Sequence, residues 1–182
     1  MMHHPVDAVM LARRAASFTR RSIKAESKNM ALRLAVSMVD LTTLEGADSP
    51  ELARALCRKA INPAPSPIDP PVPSVAAVCV YPRLVPIVRE ALAGSGVKTA
   101  SVATSFPSGQ VPLGTRLRET EAALAAGLAL NAGHDLDRFN LLGLRELTGL
   151  AEVSIGHAHI CRALEVGIHQ STRELLQALG YE

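Results

Sequence analysis

The sequence predicts an α/β fold: an incomplete (β/α) barrel of about five parallel strands with helices outside. Three observations predict it. Short apolar runs alternate with helix-compatible stretches along the chain, the rhythm of parallel strands joined by crossover helices. Residues 75–81 are apolar at positions facing both ways, as a strand covered on both sides must be. The composition is 48% hydrophobic and 20% charged, with no Trp, two Tyr and three Phe, so Ala, Val, Leu and Ile must fill the core.

The elements follow in order. Two helices are expected over 6–21 and 26–36, then a first strand over 37–41. Asp48-Ser49-Pro50-Glu51 reads as a helix start, with an acidic or hydroxyl cap and a proline in the first turn. That helix runs to about residue 60. Residues 62–74 hold six prolines, which excludes helix or central strand, so this is a loop, more plainly than a ligand for a proline-binding module. The strand at 75–81 is followed by a helix over 82–93, stopped by Gly94 and Gly96. A third strand is expected at 97–104, a helix at 117–126 ending in Gly127, and a fourth strand at 128–131. A helix near 141–147, a fifth strand at 152–155 and helices over 157–166 and 171–179 complete five βα units. A closed barrel of this kind needs eight.

Composition bounds function. At 182 residues the chain holds one domain with a real core, or two small ones. A net charge of +2 gives no reason to invoke nucleic acid or an anionic membrane. Cys57, Cys79 and Cys161 are too scattered for a disulfide framework, which suggests a reduced, cytoplasmic setting. No apolar run approaches the roughly 18 residues that span a bilayer. The cations Arg13, Arg14, Arg20, Arg21 and Lys24 are interrupted by acidic residues and read as a solvated helical face rather than a transit peptide. The pair His3-His4 is not by itself a metal site.

Several motifs carry a resemblance. Ser22-Ile-Lys-Ala-Glu-Ser-Lys28, Val39-Asp-Leu-Thr-Thr-Leu-Glu45, Ala77-Val-Cys-Val-Tyr-Pro82 and Ser101-Val-Ala-Thr-Ser-Phe-Pro-Ser-Gly109 occur in the order found in deoxyribose-phosphate aldolase. Residues 1–127 resemble that family. From residue 128 the pattern changes. Leu128-Ala-Leu-Asn-Ala-Gly-His-Asp-Leu136, Val153-Ser-Ile-Gly-His-Ala158 and Ile160-Cys-Arg-Ala-Leu164 resemble the last two βα units of pyridoxine 5′-phosphate synthase. The chain reads as pieces of two barrel enzymes packed into one domain, with a seam near Gly127 and neither active site complete.

Residues at strand C-terminal ends face the site of such a barrel, which nominates Asp40, Cys79, Thr104, His134, Gly156 and His157. The aldolase resemblance implies a Schiff-base lysine on a late strand, in a setting absent here. Lys24, Lys28, Lys59 and Lys98 are all misplaced for it. The same resemblance makes Asp40 and Cys79 site-lining positions; their plain structural readings are a rim carboxylate and a small apolar thiol. The synthase resemblance implies an acid/base role for His134 and a phosphate-binding turn at Gly156-His157, where backbone N–H groups and a helix N-terminus favour an anion. Their plain readings are a loop histidine and a tight turn. His157, His159 and Cys161 would align as metal ligands on a strand, but on a helix residues two apart face different ways, so no metal is expected. No cofactor is implied. Three functions stay open: a sugar-phosphate-binding fragment without turnover, an active aldolase or synthase, and a structural module. A homo-oligomer through open sheet edges is expected in each case.

Overall fold

In a computed structural model the described residues are 7–20, 23–64 and 66–181; His3 and His4, Arg21 and Ser22 lie outside them. The chain divides into two compact units, one up to Val102 and one from Ala103.

In the first unit, helices α1 (Ala8–Thr19) and α2 (Ala25–Ser37) precede β1 (Asp40–Thr42), α3 (Pro50–Ile61), β2 (Ala77–Val80), a 3-10 turn (Pro82–Leu84), α4 (Val85–Ala91) and β3 (Lys98–Ser101). The strands form a parallel sheet in the order β1-β2-β3, with Leu41 opposite Val78 and Val78 opposite Thr99. Strand residues alternate between faces. One face presents Leu41, Val78 and Val80 to a core with Ala53, Cys57 and Ala60 of α3 and with Leu84, Val88 and Leu92. The spacing of Ala53, Cys57 and Ala60 is that of one helical face, and their small side chains let α3 approach the sheet closely. Ser49, not Asp48, caps α3 by accepting from Leu52 N, and Pro50 opens the helix as expected. Helices α1 and α2 contain no buried residue.

In the second unit, α5 (Leu113–Ala125) leads to β4 (Leu130–Gly133), a 3-10 segment (Asn140–Leu144), β5 (Leu150–Ser154), α6 (His157–Val166) and α7 (Ile168–Leu179). Strands β4 and β5 pair in parallel, with an irregularity between Leu130 and Asn131. Leu141 and Ala178 are its buried apolar residues among those described, and Ser171 is its buried polar residue. Gly149 is required where it stands: its φ is +83°, and a Cβ there would lie 2.4 Å from Leu124 Cδ2.

All five expected strands are present and parallel, divided into sheets of three and two. Several placements differ from expectation: α5 begins at Leu113 and not at 117, β4 at Leu130 and not at 128, the helix expected near 141–147 is the 3-10 segment Asn140–Leu144, and α7 begins at Ile168 and not at 171. Two more have a local cause. Residues 37–39 do not begin β1, because α2 continues through Ser37 and Met38 caps it. Strand β3 ends at Ser101, because Thr104 and Ser105 take left-handed backbone with φ of 58° and 61°.

Candidate functional site

The nominated residues fall into two sets, one in each unit. In the first, Asp40 stands opposite Ala77, which stands opposite Lys98; in the next row Thr42, Cys79 and Ala100 are aligned. By strand alternation all six share the sheet face away from α3 and α4. Asp40 opens β1 rather than closing it, since the preceding helix overruns the expected strand start, and its side chain is exposed. Cys79 lies one residue before the end of β2, half-buried. Its thiol pKa is raised, first by burial and then by the Asp40 charge, with the Thr42 side chain partly opposing. It is therefore held as a thiol, a poor nucleophile. Lys24, Lys28, Lys59 and Lys98 are all exposed to water.

Just beyond β1, Asp48 is buried and does structural work that its place before a helix cap did not announce. Its carboxylate accepts from Thr43 Oγ1 at 2.8 Å and from Glu45 N at 3.0 Å, and its carbonyl accepts from Arg83. The loop from β1 to α3 is thereby pinned from both ends.

In the second unit, Gly133 pairs with Ser154, so the loops after β4 and β5 emerge side by side, with His134 in one and Gly156 in the other. Adjacent strands are about 4.8 Å apart, which sets the spacing of the two loops where they leave the sheet. His134 and Asp135 both have left-handed backbone, with φ of 64° and 56°. Two such non-glycine residues in succession are uncommon and are held by their surroundings. Asn140 Nδ2 donates to Asp135 O, Asp137 N donates to Asn140 Oδ1, and Asp137 Oδ1 accepts from Phe139 N and Asn140 N, each at 2.8 Å. The exposed His134 ring meets the Phe106 ring edge-on at 5.2 Å. Thr104 is three residues past the end of β3, and its N–H donates to Glu119 Oε2 at 2.6 Å, so that amide is committed to α5.

Gly156 stands at the N-terminus of α6, and no side chain caps it. The first-turn N–H groups of a helix lack partners within it, and an open N-terminus attracts anions. A Cβ on Gly156 would meet nothing within 4 Å, so the space above this turn is free of protein. His157, the first residue of α6, is exposed.

The same unit holds an ion-pair cluster, between α6, α7 and Arg138, that local spacing did not announce. Glu174 on α7 accepts two bonds from Arg162 on α6, at 2.7 and 2.8 Å, and one from Arg138 at 3.0 Å. Arg162 also pairs with Glu165, and Arg138 lies over the Phe139 ring at 4.6 Å. These bonds hold the Glu174 carboxyl down at about 2, Arg162 being the largest cause, and they raise the pKa of Arg162. Only the pair Arg162–Glu165 has a sequence signature, three residues apart on one helix. The pocket bordered by Arg138, Cys161, Arg162 and Glu174 is about 240 Å³, below the usual size of a small-molecule site. Among the described residues no three His, Cys, Asp or Glu side chains converge as metal ligands, and no helix is long and apolar enough to cross a membrane.

Comparison with known proteins divides the chain in the same sense as its motifs. The family model "Pyridoxal phosphate biosynthesis protein PdxJ" matches residues 107–180. The mouse protein "Deoxyribose-phosphate aldolase" is 41% identical over 128 residues, covering 66% of this chain and 40% of its own length. The Caenorhabditis elegans protein "Putative deoxyribose-phosphate aldolase" is 39% identical over 108 residues, covering 56% of this chain and 35% of its own. A solved structure from Coccidioides immitis, described as a putative deoxyribose-phosphate aldolase, superposes with a TM-score of 0.43 at 18% identity, covering 80% of this chain and 46% of that one. The chain thus joins a front part similar to deoxyribose-phosphate aldolases to a back part matching the PdxJ family, as its motifs predict. It spans well under half the length of the curated relatives it matches.

Proposed function

We propose that this chain is an aldolase-related fragment that binds the phosphate group of a small sugar phosphate without turning it over. The observation that carries the proposal is the uncapped start of α6 at Gly156-His157, set in the loop beside the one that carries His134. Backbone N–H groups and the helix dipole supply an anion site there, and the empty space over Gly156 admits a phosphate oxygen where a side chain would obstruct it. His157 adds positive charge when protonated, and His134 in the neighbouring loop, an acid/base group in the synthase resemblance, is left without a reaction to serve. Asp40 and Cys79 line the other unit's sheet face in this reading, with Thr104 as a backbone anchor.

The test is titration with inorganic phosphate and with 2-deoxyribose 5-phosphate, read by calorimetry and by the shift of a urea unfolding curve. Saturable binding is expected, and it should raise the unfolding midpoint, since a ligand of the native state stabilises it. Gly156→Ala should abolish binding while leaving the unfolding curve without ligand unchanged. Binding that survives Gly156→Ala refutes this location.

An active aldolase is the second reading, favoured by one observation: Lys98 shares a row and a sheet face with Asp40. Borohydride reduction in the presence of 2-deoxyribose 5-phosphate should leave no adduct. A stable adduct on Lys98 would establish Schiff-base chemistry and overturn the proposal of binding without turnover.

A further inference from the structure

The sheet of the second unit has one apolar side and one hydrophilic side. Leu130, Ala132, Leu150 and Val153 are half-buried, whereas Asn131, Gly133, Glu152 and Ser154 are exposed. Parallel strands of an α/β fold are ordinarily apolar on both sides, so the polar side calls for an explanation. The register irregularity helps to create it. Leu130 stands opposite Leu150, but Asn131 stands opposite Glu152, so Ala151 is an extra residue and Glu152 joins Asn131 on the open side. Bulges re-aim side chains in this way and recur beside active sites. Asn131 Nδ2 donates to Ser154 Oγ across the strands at 3.4 Å, a long bond that leaves both groups able to take further partners. Glu152 has no hydrogen bond or ion pair among the described residues. Gly133 stands opposite Ser154, where a Cβ would lie 3.5 Å from Ser154 Cβ; without one, the hydroxyl is uncovered from the β4 side.

We propose that Asn131, Ser154 and Glu152 bind the hydroxyl groups of an open-chain sugar or polyol monophosphate of pentose to hexose length. The inference rests on the phosphate reading of Gly156, which fixes one end of the ligand. Along extended chain rising ~3.3 Å per residue, Ser154 comes about 7 Å before Gly156 and Glu152 about 13 Å before it. The three groups are thus met in order by a chain that runs from the phosphate down the open side of β5. A hydroxyl both donates and accepts. The Asn131 amide and the Ser154 hydroxyl can answer it either way, and the Glu152 carboxylate accepts. A carboxylate at the far end of the ligand would be repelled by Glu152, so the site favours a polyol over a sugar acid.

The experiment is calorimetric titration of the full chain with inorganic phosphate, with sorbitol 6-phosphate and with 6-phosphogluconate, a sugar acid of the same length. Sorbitol 6-phosphate is expected to bind roughly 10-fold tighter than inorganic phosphate, the worth of a few hydrogen bonds. Asn131→Ala and Ser154→Ala should each weaken it by roughly 2- to 10-fold while leaving the affinity for inorganic phosphate and the urea unfolding curve unchanged. The sugar acid should bind more weakly than sorbitol 6-phosphate, and Glu152→Gln should close that gap. Failure of inorganic phosphate to bind refutes the phosphate reading and this inference with it. If phosphate binds but sorbitol 6-phosphate binds no tighter, or if its advantage survives both Asn131→Ala and Ser154→Ala, the phosphate reading stands and the hydroxyl site is overturned. A loss shared equally by both ligands overturns it as well, since the two residues would then act on the phosphate end or on folding.

Discussion

Replacing Val78 with Ala tests whether the first unit's sheet is packed as described. Val78 is fully buried in the middle strand, level with Leu41 and Thr99, and its side chain enters the cluster formed by Ala53, Cys57, Ala60, Leu84 and Val88. The change removes two methyl groups, worth about 1.6 kcal/mol at ~0.8 kcal/mol each. The two helices above close only part of the gap, so the residual cavity brings the expected cost to about 2–3 kcal/mol. With a urea slope of roughly 1–3 kcal/mol per molar, the midpoint should fall by about 0.7–3 M. The assay is urea unfolding followed by hydrogen exchange of the β2 amides, which ties the reading to this sheet. Leu164→Ala is the control: Leu164 is 83% exposed on α6, so its loss should change stability by less than ~0.5 kcal/mol. A Val78→Ala cost below that figure would refute the packing argument. A large Leu164→Ala cost would point to a second molecule covering α6 in solution, a different surface from the open sheet edges expected to associate.

Two further predictions rest on ionisable groups. Glu174 should titrate near 2 in the folded protein, well below its ordinary 4.5. Because the folded value is the lower one, its contribution to stability is present above 4.5 and is lost as pH falls through about 2. Exchange of the α7 amides should therefore accelerate across that window, and a Glu174 midpoint at or above 4.5 by carboxyl NMR would refute the cluster. The three thiols should alkylate at pH 8 in the order Cys161, Cys79, Cys57, since Cys161 is exposed while burial raises the pKa of the other two. Peptide mass spectrometry reads the order, and Cys79 reacting as fast as Cys161 would contradict its environment.

The fold was legible wherever a local signal fixes an element. Ser49-Pro50 starts α3 because a hydroxyl cap and a ready-set proline φ act within one turn, and residues 77–80 form a buried strand because their apolar character admits little else. Boundaries failed where two local preferences met: Ser37 to Val39 suit a strand, yet α2 runs on through Ser37 and is capped by Met38, so β1 starts only at Asp40. The site was legible as a set of residue types but not as a geometry. His134 and Gly156 reach neighbouring loops because β4 pairs with β5, which follows from parallel strand order. Asp48 and the cluster of Glu174 with Arg138 and Arg162 were not foreseen, since bonds between residues 36 and 35 positions apart leave no mark on local pattern. The hydrogen bond between His157 and Cys161, 3.4 Å from Nε2 to Sγ, was available in principle, because four residues on a helix is a full turn.

Leu124 and Gly149 give the chain's mixed kinship a practical consequence for anyone who wishes to take it apart. Leu124 precedes the change of motif near Gly127 and Gly149 follows it, yet the two are in close contact: a Cβ at Gly149 would require the Leu124 side chain to move. The helix carrying Leu124 belongs by its contacts with the strands after it, and the PdxJ match likewise begins at residue 107. The unit of exchange in this protein is therefore the stretch from Ala103 onward. A library that swaps or excises back halves should be cut there, where a turn rather than a packed helix is divided. Cutting at Gly127 would hand each recipient a β4–β5 pair stripped of its own cover.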